Sequence, residues 1–211
     1  MNKVISIFFF FFFISSAGWA QKDKKEIKAV FENYKAALIK EDGDEAVKYL
    51  DSHTIKYYQN IADKARGADS VEVDALPVMD KIMVLSVRHR ASKEEVLAFN
   101  GITMVSFAIK NGMVGKSTVS DNSLGEITIN GNVATAQLIK NKEKSSILFK
   151  FYKENNEWKF DLSSFFPLAG IGFKKLVKDS GKPENEYLLM LLEFASKKKP
   201  SPAIWKPVAE F

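Results

Sequence analysis

The sequence predicts an α+β fold in which helices flank an antiparallel sheet. Before residue 112, apolar residues recur mostly at intervals of three or four, which is typical of amphipathic helices. Between residues 127 and 162 they alternate with polar residues, which is typical of strands with one buried face. After residue 165 the spacing becomes helical again. We therefore expect N-terminal helices to cover the apolar face of the sheet and extra helices to follow it.

The first helix is expected over residues 24–40. Its apolar stripe consists of Ile27, Val30, Phe31, Tyr34, Ala37 and Leu38. The sequence Asp42-Gly43-Asp44 ends it, and Asp44 is the predicted N-cap of a short helix through Leu50.

Further helices are predicted from their end signals. Ser52 is the expected cap of a helix that ends at Gly67, Pro77 suits the first turn of the next helix, and Ser92 with Glu95 forms a capping box. Residues 102–109 fit either a helix or a buried strand. We favour a helix, with Thr103 as its cap.

Alternating residues then predict an antiparallel meander. Turn signals occur at residues 130–132, 141–144 and 155–156. The predicted inward face carries Ile127, Ile129, Ala134, Ala136, Leu138, Ile147, Phe149, Phe151, Trp158, Phe160 and Leu162. Residues 166–177 and a stripe over 187–195 predict two C-terminal helices, and the last stretch with Trp205 and Val208 is either a tail or a strap on the core.

The N-terminus has the pattern of a secretory signal peptide. Lys3 precedes a mostly apolar run over residues 4–14, and small residues at Ala17, Gly18 and Ala20 follow. The run is about half the ~20 residues that a membrane-spanning helix needs. We expect cleavage after Ala20 and a periplasmic or extracellular location, with an uncleaved anchor as the alternative. No cysteine is present, so we expect neither a lipoprotein nor disulfides, and no transmembrane segment after cleavage.

The predicted organisation is a signal peptide over residues 1–20, one domain over 21–164 and a helical extension over 165–211. The chain carries 31 basic and 26 acidic residues, a net charge of +5. This mild, scattered charge argues against a nucleic-acid partner. The basic run at residues 88–90, including His89, is expected to lie on a solvated surface, as is the run at residues 197–199.

No chemistry-bearing motif identifies a catalytic, metal or cofactor site. Residues 112–117 hold a glycine pair and Lys116-Ser117, but a phosphate loop needs four residues between its glycines and this segment has two. The two histidines lie far apart in the sequence, without ligand-spaced partners. The expectation is therefore no catalytic residue, no metal and no cofactor.

Several segments together resemble the nuclear-transport-factor-2-like superfamily, and most closely its small exported bacterial members. They are the first helix with Phe31, Tyr34 and Ala37, the acidic glycine turn, the pair Tyr57-Tyr58, and a closing hairpin over residues 152–161 that contains Trp158-Lys159-Phe160-Asp161. The likeness covers residues 24–162. It implies a cone in which helices pack on a curved antiparallel sheet around a hollow.

The resemblance implies a hollow that different members of the superfamily use for catalysis, ligand binding or dimer contacts. Tyr34, His53, Tyr57 and Tyr58 are the candidate pocket residues, with core packing as the alternative for each. Our first hypothesis is an exported, non-enzymatic domain that binds a small apolar or amphipathic ligand or a protein. The alternatives are an enzyme of the same fold performing acid–base chemistry, of the isomerase or dehydratase type, and an envelope-associated scaffold. Family likeness also suggests a homodimer formed through the sheet.

Overall fold

The computed structural model describes residues 16–113 and 119–210, with side chains from residue 20 onward, and its architecture is mixed α+β. The N-terminal helices are α1 (Ser16–Ile39), α2 (Gly43–Val47), α3 (Ser52–Gly67), α4 (Ser70–Asp74), α5 (Val78–Arg90), α6 (Lys93–Ala98) and α7 (Gly101–Lys110). The strands are β1 (Asn122–Asn130), β2 (Val133–Lys140), β3 (Glu143–Glu154) and β4 (Glu157–Asp161). The C-terminal helices are α8 (Phe166–Asp179) and α9 (Glu184–Ser196), and 3-10 turns lie at Ser163–Phe165, Pro202–Trp205 and Val208–Glu210.

The four strands form an antiparallel meander in the order β1-β2-β3-β4, as the alternation predicts. Asn155 and Asn156 both have positive φ, and so do Asn141 and Lys142. This pattern fits tight hairpin turns, whose twist matches that of the flanking strands. The asparagine-rich signals in the sequence therefore mark the strand boundaries correctly.

Helix α1 covers one face of the sheet and reaches both outer strands, β1 and β4. Phe31 on α1 is 2% exposed, and its ring lies 5.7 Å from that of Phe149 and 5.8 Å from that of Phe160. The outer edge of β4 is closed by the segment before α3, because Phe160 N donates to Tyr49 O and Asp51 N donates to Phe160 O. The predicted cover of the aromatic face by N-terminal helices is confirmed.

The helix caps differ from prediction by a residue or two. Asp42, rather than Asp44, caps α2 by accepting a hydrogen bond from Glu45 N. Asp51, rather than Ser52, caps α3 by accepting from Thr54 N. In each case a capping side chain is available at two nearby positions, and tertiary contacts select one of them.

The capping box of Ser92 and Glu95 forms as predicted. The short helix α4, by contrast, is not predicted from the sequence, although it has its own capping box of Asp69 and Glu72. Helix α4 has five residues, of which only Val71 and Val73 are apolar, so it gives little periodic signal.

The ambiguous segment is helical and forms α7. Asn100 is its cap, and Thr103 is the reciprocal partner in the capping box rather than the cap itself. Close packing of α7 depends on glycine, because a Cβ atom at Gly101 would lie 2.2 Å from Ile55 O and one at Gly43 would lie 2.3 Å from Ser106 O.

The C-terminal segment packs on the helices that precede the sheet. Helices α8 and α9 contact α5, and the last 3-10 turn contacts α3. Ile204 and Val208 are buried, so the last stretch is a strap on the core rather than a free tail. The basic run at residues 88–90 is not a solvated face, because Arg88 is 5% exposed and His89 is half-buried.

The expected signal peptide lies mostly outside the described residues. Helix α1 begins at Ser16 and continues through the expected cleavage point after Ala20. None of the helices described over 16–113 and 119–210 has both the length and the apolar character needed to cross a membrane.

Candidate functional site

A cleft of about 430 Å³ lies between α3, the start of α5 and the start of α8. Its size falls within the range of small-molecule sites in proteins. Tyr57 contributes the wall from α3. The other lining residues are Pro77, Val78, Met79 and Asp80 from α5 and its N-cap, Ser163 before α8, and Phe166, Pro167, Gly170, Ile171 and Lys174 from α8.

Local sequence explains how these elements meet. Pro77 is the N-cap of α5 and fixes the entry of that helix, while Pro167 occupies the first turn of α8, where a missing N–H costs nothing. Gly170 allows α8 to approach α5 closely, since a Cβ atom there would lie 3.3 Å from Met79 Cγ. The two helix starts therefore lie side by side and leave an apolar cleft between them.

A hydrogen-bonded pair forms the polar part of the cleft. The Tyr57 hydroxyl donates to Asp80 Oδ1 and also lies 3.6 Å from Met83 Sδ. Burial, and then the hydrogen bond to Asp80, raise the pKa of Tyr57 far above its ordinary value. The phenol therefore stays protonated and acts as a hydrogen-bond donor at any physiological pH.

The remaining walls combine apolar surface with one cation. The ring of Phe166 lies 4.8 Å from that of Tyr57 and forms an aromatic wall. Lys174 is exposed on the α8 side of the cleft, and Ile171 is 68% exposed beside it. A molecule in this cleft would meet aromatic and aliphatic surface together with one carboxylate and one ammonium group.

The four residues predicted to border a pocket do not share one cavity. Tyr57 lines the cleft, and Tyr58 lies behind it, 5% exposed, with its ring 5.7 Å from that of Tyr57. Tyr34 lies in the core under the sheet, 5.4 Å from Phe160. Burial raises the pKa of both Tyr34 and Tyr58. His53 lies elsewhere, on the surface at the start of α3.

Aromatic side chains occupy the region where the resemblance implies a hollow. Phe165 packs against Phe149 with ring centroids 6.0 Å apart, and Phe166 packs against Tyr57 and Tyr58. Phe173 turns away and contacts Tyr187 instead. The C-terminal extension therefore fills space next to the covered sheet face, and its Phe166 also lines the cleft.

His53 belongs to a second cluster, with Asp51 and Glu154, whose potential metal-ligating atoms lie within 4.8 Å of one another. His53 Nδ1 lies 2.7 Å from Asp51 Oδ2, and its ring lies 4.5 Å from that of Tyr152. Both carboxylates also accept hydrogen bonds from the start of α3. Asp51 accepts from Thr54 N, and Glu154 accepts from the amide and the hydroxyl of Ser52. Helix capping accounts for these acids.

No family model, curated protein or solved structure matches the chain. Function is therefore inferred from the geometry of the cleft.

Sequence analysis missed three residues that define the cleft: Asp80, Phe166 and Lys174. Asp80 lies in the first turn of α5, where an acid is explained by the helix dipole alone. Phe166 precedes a proline at a helix start, and Lys174 is one of several lysines in α8. Each has an ordinary local explanation, so only their meeting in space reveals the site.

Proposed function

We propose that this protein is an exported, non-enzymatic binding domain whose cleft at Tyr57 and Asp80 holds a small amphipathic molecule. The observation that carries the proposal is the Tyr57–Asp80 pair set into a cleft with an aromatic wall. Ligand sites of this kind combine mostly apolar walls with a few polar groups that fix orientation. Export is proposed from the N-terminal sequence pattern alone.

The lining defines the ligand chemistry. One Asp80 oxygen accepts from Tyr57, so the carboxylate is fixed in place and its second oxygen offers an acceptor to the ligand. We propose a ligand with an apolar body that packs against Phe166 and a hydrogen-bond donor that meets Asp80. Lys174, which also lines the cleft, suits a second polar or anionic end.

The protonation state of Tyr57 supports binding over acid–base catalysis. A general acid or base works best when its pKa lies near the operating pH. Burial and Asp80 raise the pKa of Tyr57 away from that range, so the phenol positions a ligand more readily than it transfers a proton.

The finer fold assignment belongs to the same proposal. The cover of one sheet face by α1 and the closing hairpin that ends at Phe160 support a cone of the nuclear-transport-factor-2-like kind. For the homodimer through the sheet, the support is that Val133 and Leu148 are exposed, at 37% and 57%.

Native mass spectrometry of the protein purified from the exporting cell's own compartment tests the binding proposal. We expect an excess mass that disappears on denaturation. Asp80→Asn keeps the acceptor for Tyr57 but removes the charge, and we expect it to weaken ligand retention by about tenfold, since bonds to charged groups are stronger than neutral ones.

Asp179→Asn is the matched control, because Asp179 is an exposed carboxylate on α8 outside the cleft lining. It is expected to retain the ligand as the wild type does. An apo mass for the wild type, or equal loss in both variants, would contradict the proposed site.

A further inference from the structure

The outer face of α8 exposes three large aliphatic side chains. Leu168, Ile171 and Leu176 are 45%, 68% and 53% exposed. The opposite face of the helix is buried through Phe166 and Val177. At 3.6 residues per turn, the three exposed side chains lie on the arc that faces away from the protein. We call Leu168, Ile171 and Leu176 the outer stripe of α8.

The outer stripe differs from the other exposed apolar residues of the described chain. Most of those occur singly on their elements, as Ile39, Val71 and Leu97 do, and isolated exposed apolar residues are common on protein surfaces. The outer stripe instead groups three exposed apolar side chains on one arc of α8, within two and a half turns. Such grouping is typical of an interaction site.

Lysines accompany the outer stripe. Helix α8 contains three lysines and one aspartate. Lys175 pairs with Asp179 at 2.6 Å. Lys174 and Lys178 are exposed, and neither has an ion-pair partner among the residues that the structure describes. The exposed arc of α8 is therefore both apolar and positively charged.

This combination selects the occupant. A two-fold pairing of α8 with a second copy would bring three lysines and one aspartate from each copy into one interface, and this excess of like charge is repulsive. An anionic lipid surface complements both features, because its headgroups attract lysines and its acyl boundary accepts aliphatic side chains. We propose that the outer stripe and lysines of α8 dock this protein reversibly on an anionic bilayer surface.

The proposal does not depend on the basic run at residues 197–199 or on the Trp205 segment, the two features of the sequence that suggest an envelope-associated scaffold. Ile204 and Val208 hold that segment on the core. Ile171 and Lys174 belong both to this surface and to the cleft lining, whereas Leu176 and Lys178 lie outside the cleft lining. Variants at these two positions therefore separate membrane docking from ligand binding.

Co-sedimentation with vesicles tests the proposal on the protein purified from the exporting cell. We expect binding to vesicles of equal parts phosphatidylglycerol and phosphatidylcholine, weakening as salt rises, and much weaker binding to phosphatidylcholine alone. Lys178→Glu should lower the apparent affinity by about fivefold or more, since one basic residue near an anionic surface accounts for about fivefold. Leu176→Glu should lower it by a similar factor, because it removes aliphatic surface and adds a repelled charge.

Ile102→Glu is the matched control, because Ile102 is 52% exposed on α7 and Leu176 is 53% exposed on α8. The control should bind like the wild type, and all variants share one N-terminus, so any contribution from that end cancels. Equal loss in the control, or no binding to anionic vesicles, would overturn the proposal. A wild-type dimer that Leu176→Glu dissociates would also overturn it and assign the stripe to a second copy.

Discussion

The region where α1 packs on the sheet and the region where the C-terminal segment packs on α3 and α5 are held by different forces. The first is an aromatic core. The second combines buried apolar side chains, such as Leu188 and Val208, with buried cationic or polar side chains that reach backbone carbonyls and carboxylates. Apolar packing is non-directional, whereas a buried hydrogen bond requires specific atoms at specific distances. The difference determines which substitutions destabilise each region and how well the sequence predicts the structure of each region.

Phe160 shows how the aromatic region is built. It is 1% exposed, and its ring lies within 5.8 Å of the rings of Phe31, Tyr34, Phe149 and Phe151. These ring contacts join α1 to β3 and β4. Stability in this region comes from removing large rings from water.

Arg88 shows how the C-terminal region is attached. Its guanidinium donates to Ala65 O at 2.8 Å and to Lys64 O at 3.1 Å, at the end of α3, and to Ile204 O at 3.2 Å in the strap. Burial lowers the pKa of Arg88 to about 10. The carbonyls carry the negative end of the α3 dipole, so they stabilise the cation in place of a carboxylate.

Lys81 and His89 make similar links to α9. Lys81, 4% exposed, pairs with Glu184 at 2.8 Å and with Asp74 at 3.2 Å. His89 Nε2 lies 2.7 Å from Ser196 Oγ. The contacts with Glu184 and Ser196 join α5 to residues more than a hundred positions away in the sequence.

The largest effect is expected from emptying the aromatic region. Phe160→Ala should lower the free energy of unfolding by about 3–5 kcal/mol, because it removes a buried ring and leaves a cavity among four others. Urea denaturation measures the loss. Leu148→Ala, on the exposed sheet face, should cost less than about 1 kcal/mol. Similar losses for both would mean that the aromatic cluster does not dominate the stability of the sheet.

A smaller but more local effect is expected in the other region. Arg88→Met should cost about 2–3 kcal/mol, because it leaves buried carbonyls without donors. Amide exchange and limited proteolysis should increase within residues 200–210, which the arginine holds to α3, while the sheet stays protected.

Arg90→Met provides the comparison for Arg88→Met. Arg90 contacts one exposed carbonyl, that of Asn111, so its loss should leave both stability and proteolysis nearly unchanged. Uniform loosening of the whole chain by Arg88→Met would instead show that the two regions do not open separately.

The sequence predicts the aromatic region better than it predicts the region where the C-terminal segment packs. The aromatic region was predicted well, because alternation identifies Phe149, Phe151 and Phe160 as one face and a three-four stripe identifies the face of α1. The mixed α+β class and the hairpin turns follow from those patterns. In the other region, Arg88 and His89 were expected on the surface, because a local run of charges carries no record of carbonyls more than twenty residues away.

The candidate site shows the same limit. The sequence indicates Tyr57 as a pocket residue, but it indicates Tyr34 and Tyr58 equally. A tyrosine on a helical stripe gives the same sequence pattern whether it lines a cleft or fills a core. What distinguishes Tyr57 is its bond to Asp80, twenty-three positions away. The packing of α8 against α5 creates that cleft wall, and no periodic pattern predicts which two helices will pack together.

The smallest predicted effect is a difference between the two regions in how their stability depends on pH. Burial lowers the pKa of His89 below its ordinary value of 6.5; a backbone hydrogen bond with Lys198 opposes this shift, and the charges of Arg90 and Lys198 add to it. The unfolded chain therefore binds a proton at His89 more readily than the folded chain does. Stability from His89 is present above the unfolded pKa and is lost as pH falls through the folded pKa. The stability advantage of the wild type over His89→Gln should shrink from about pH 7.5 to about pH 5.

Asp23 gives the matching titration for the aromatic region. Hydrogen bonds from Lys153 at 2.8 Å and from Trp158 Nε1 at 2.9 Å lower the pKa of Asp23 below its ordinary value of 3.8. Its stabilisation is present above that value and is lost only as pH falls through the folded pKa. The difference between wild type and Asp23→Asn should therefore stay constant from about pH 7.5 to about pH 5 and close in stronger acid. If both differences close together in strong acid, the link through His89 is not buried enough to set the C-terminal region apart, and Arg88 with Lys81 must hold it alone.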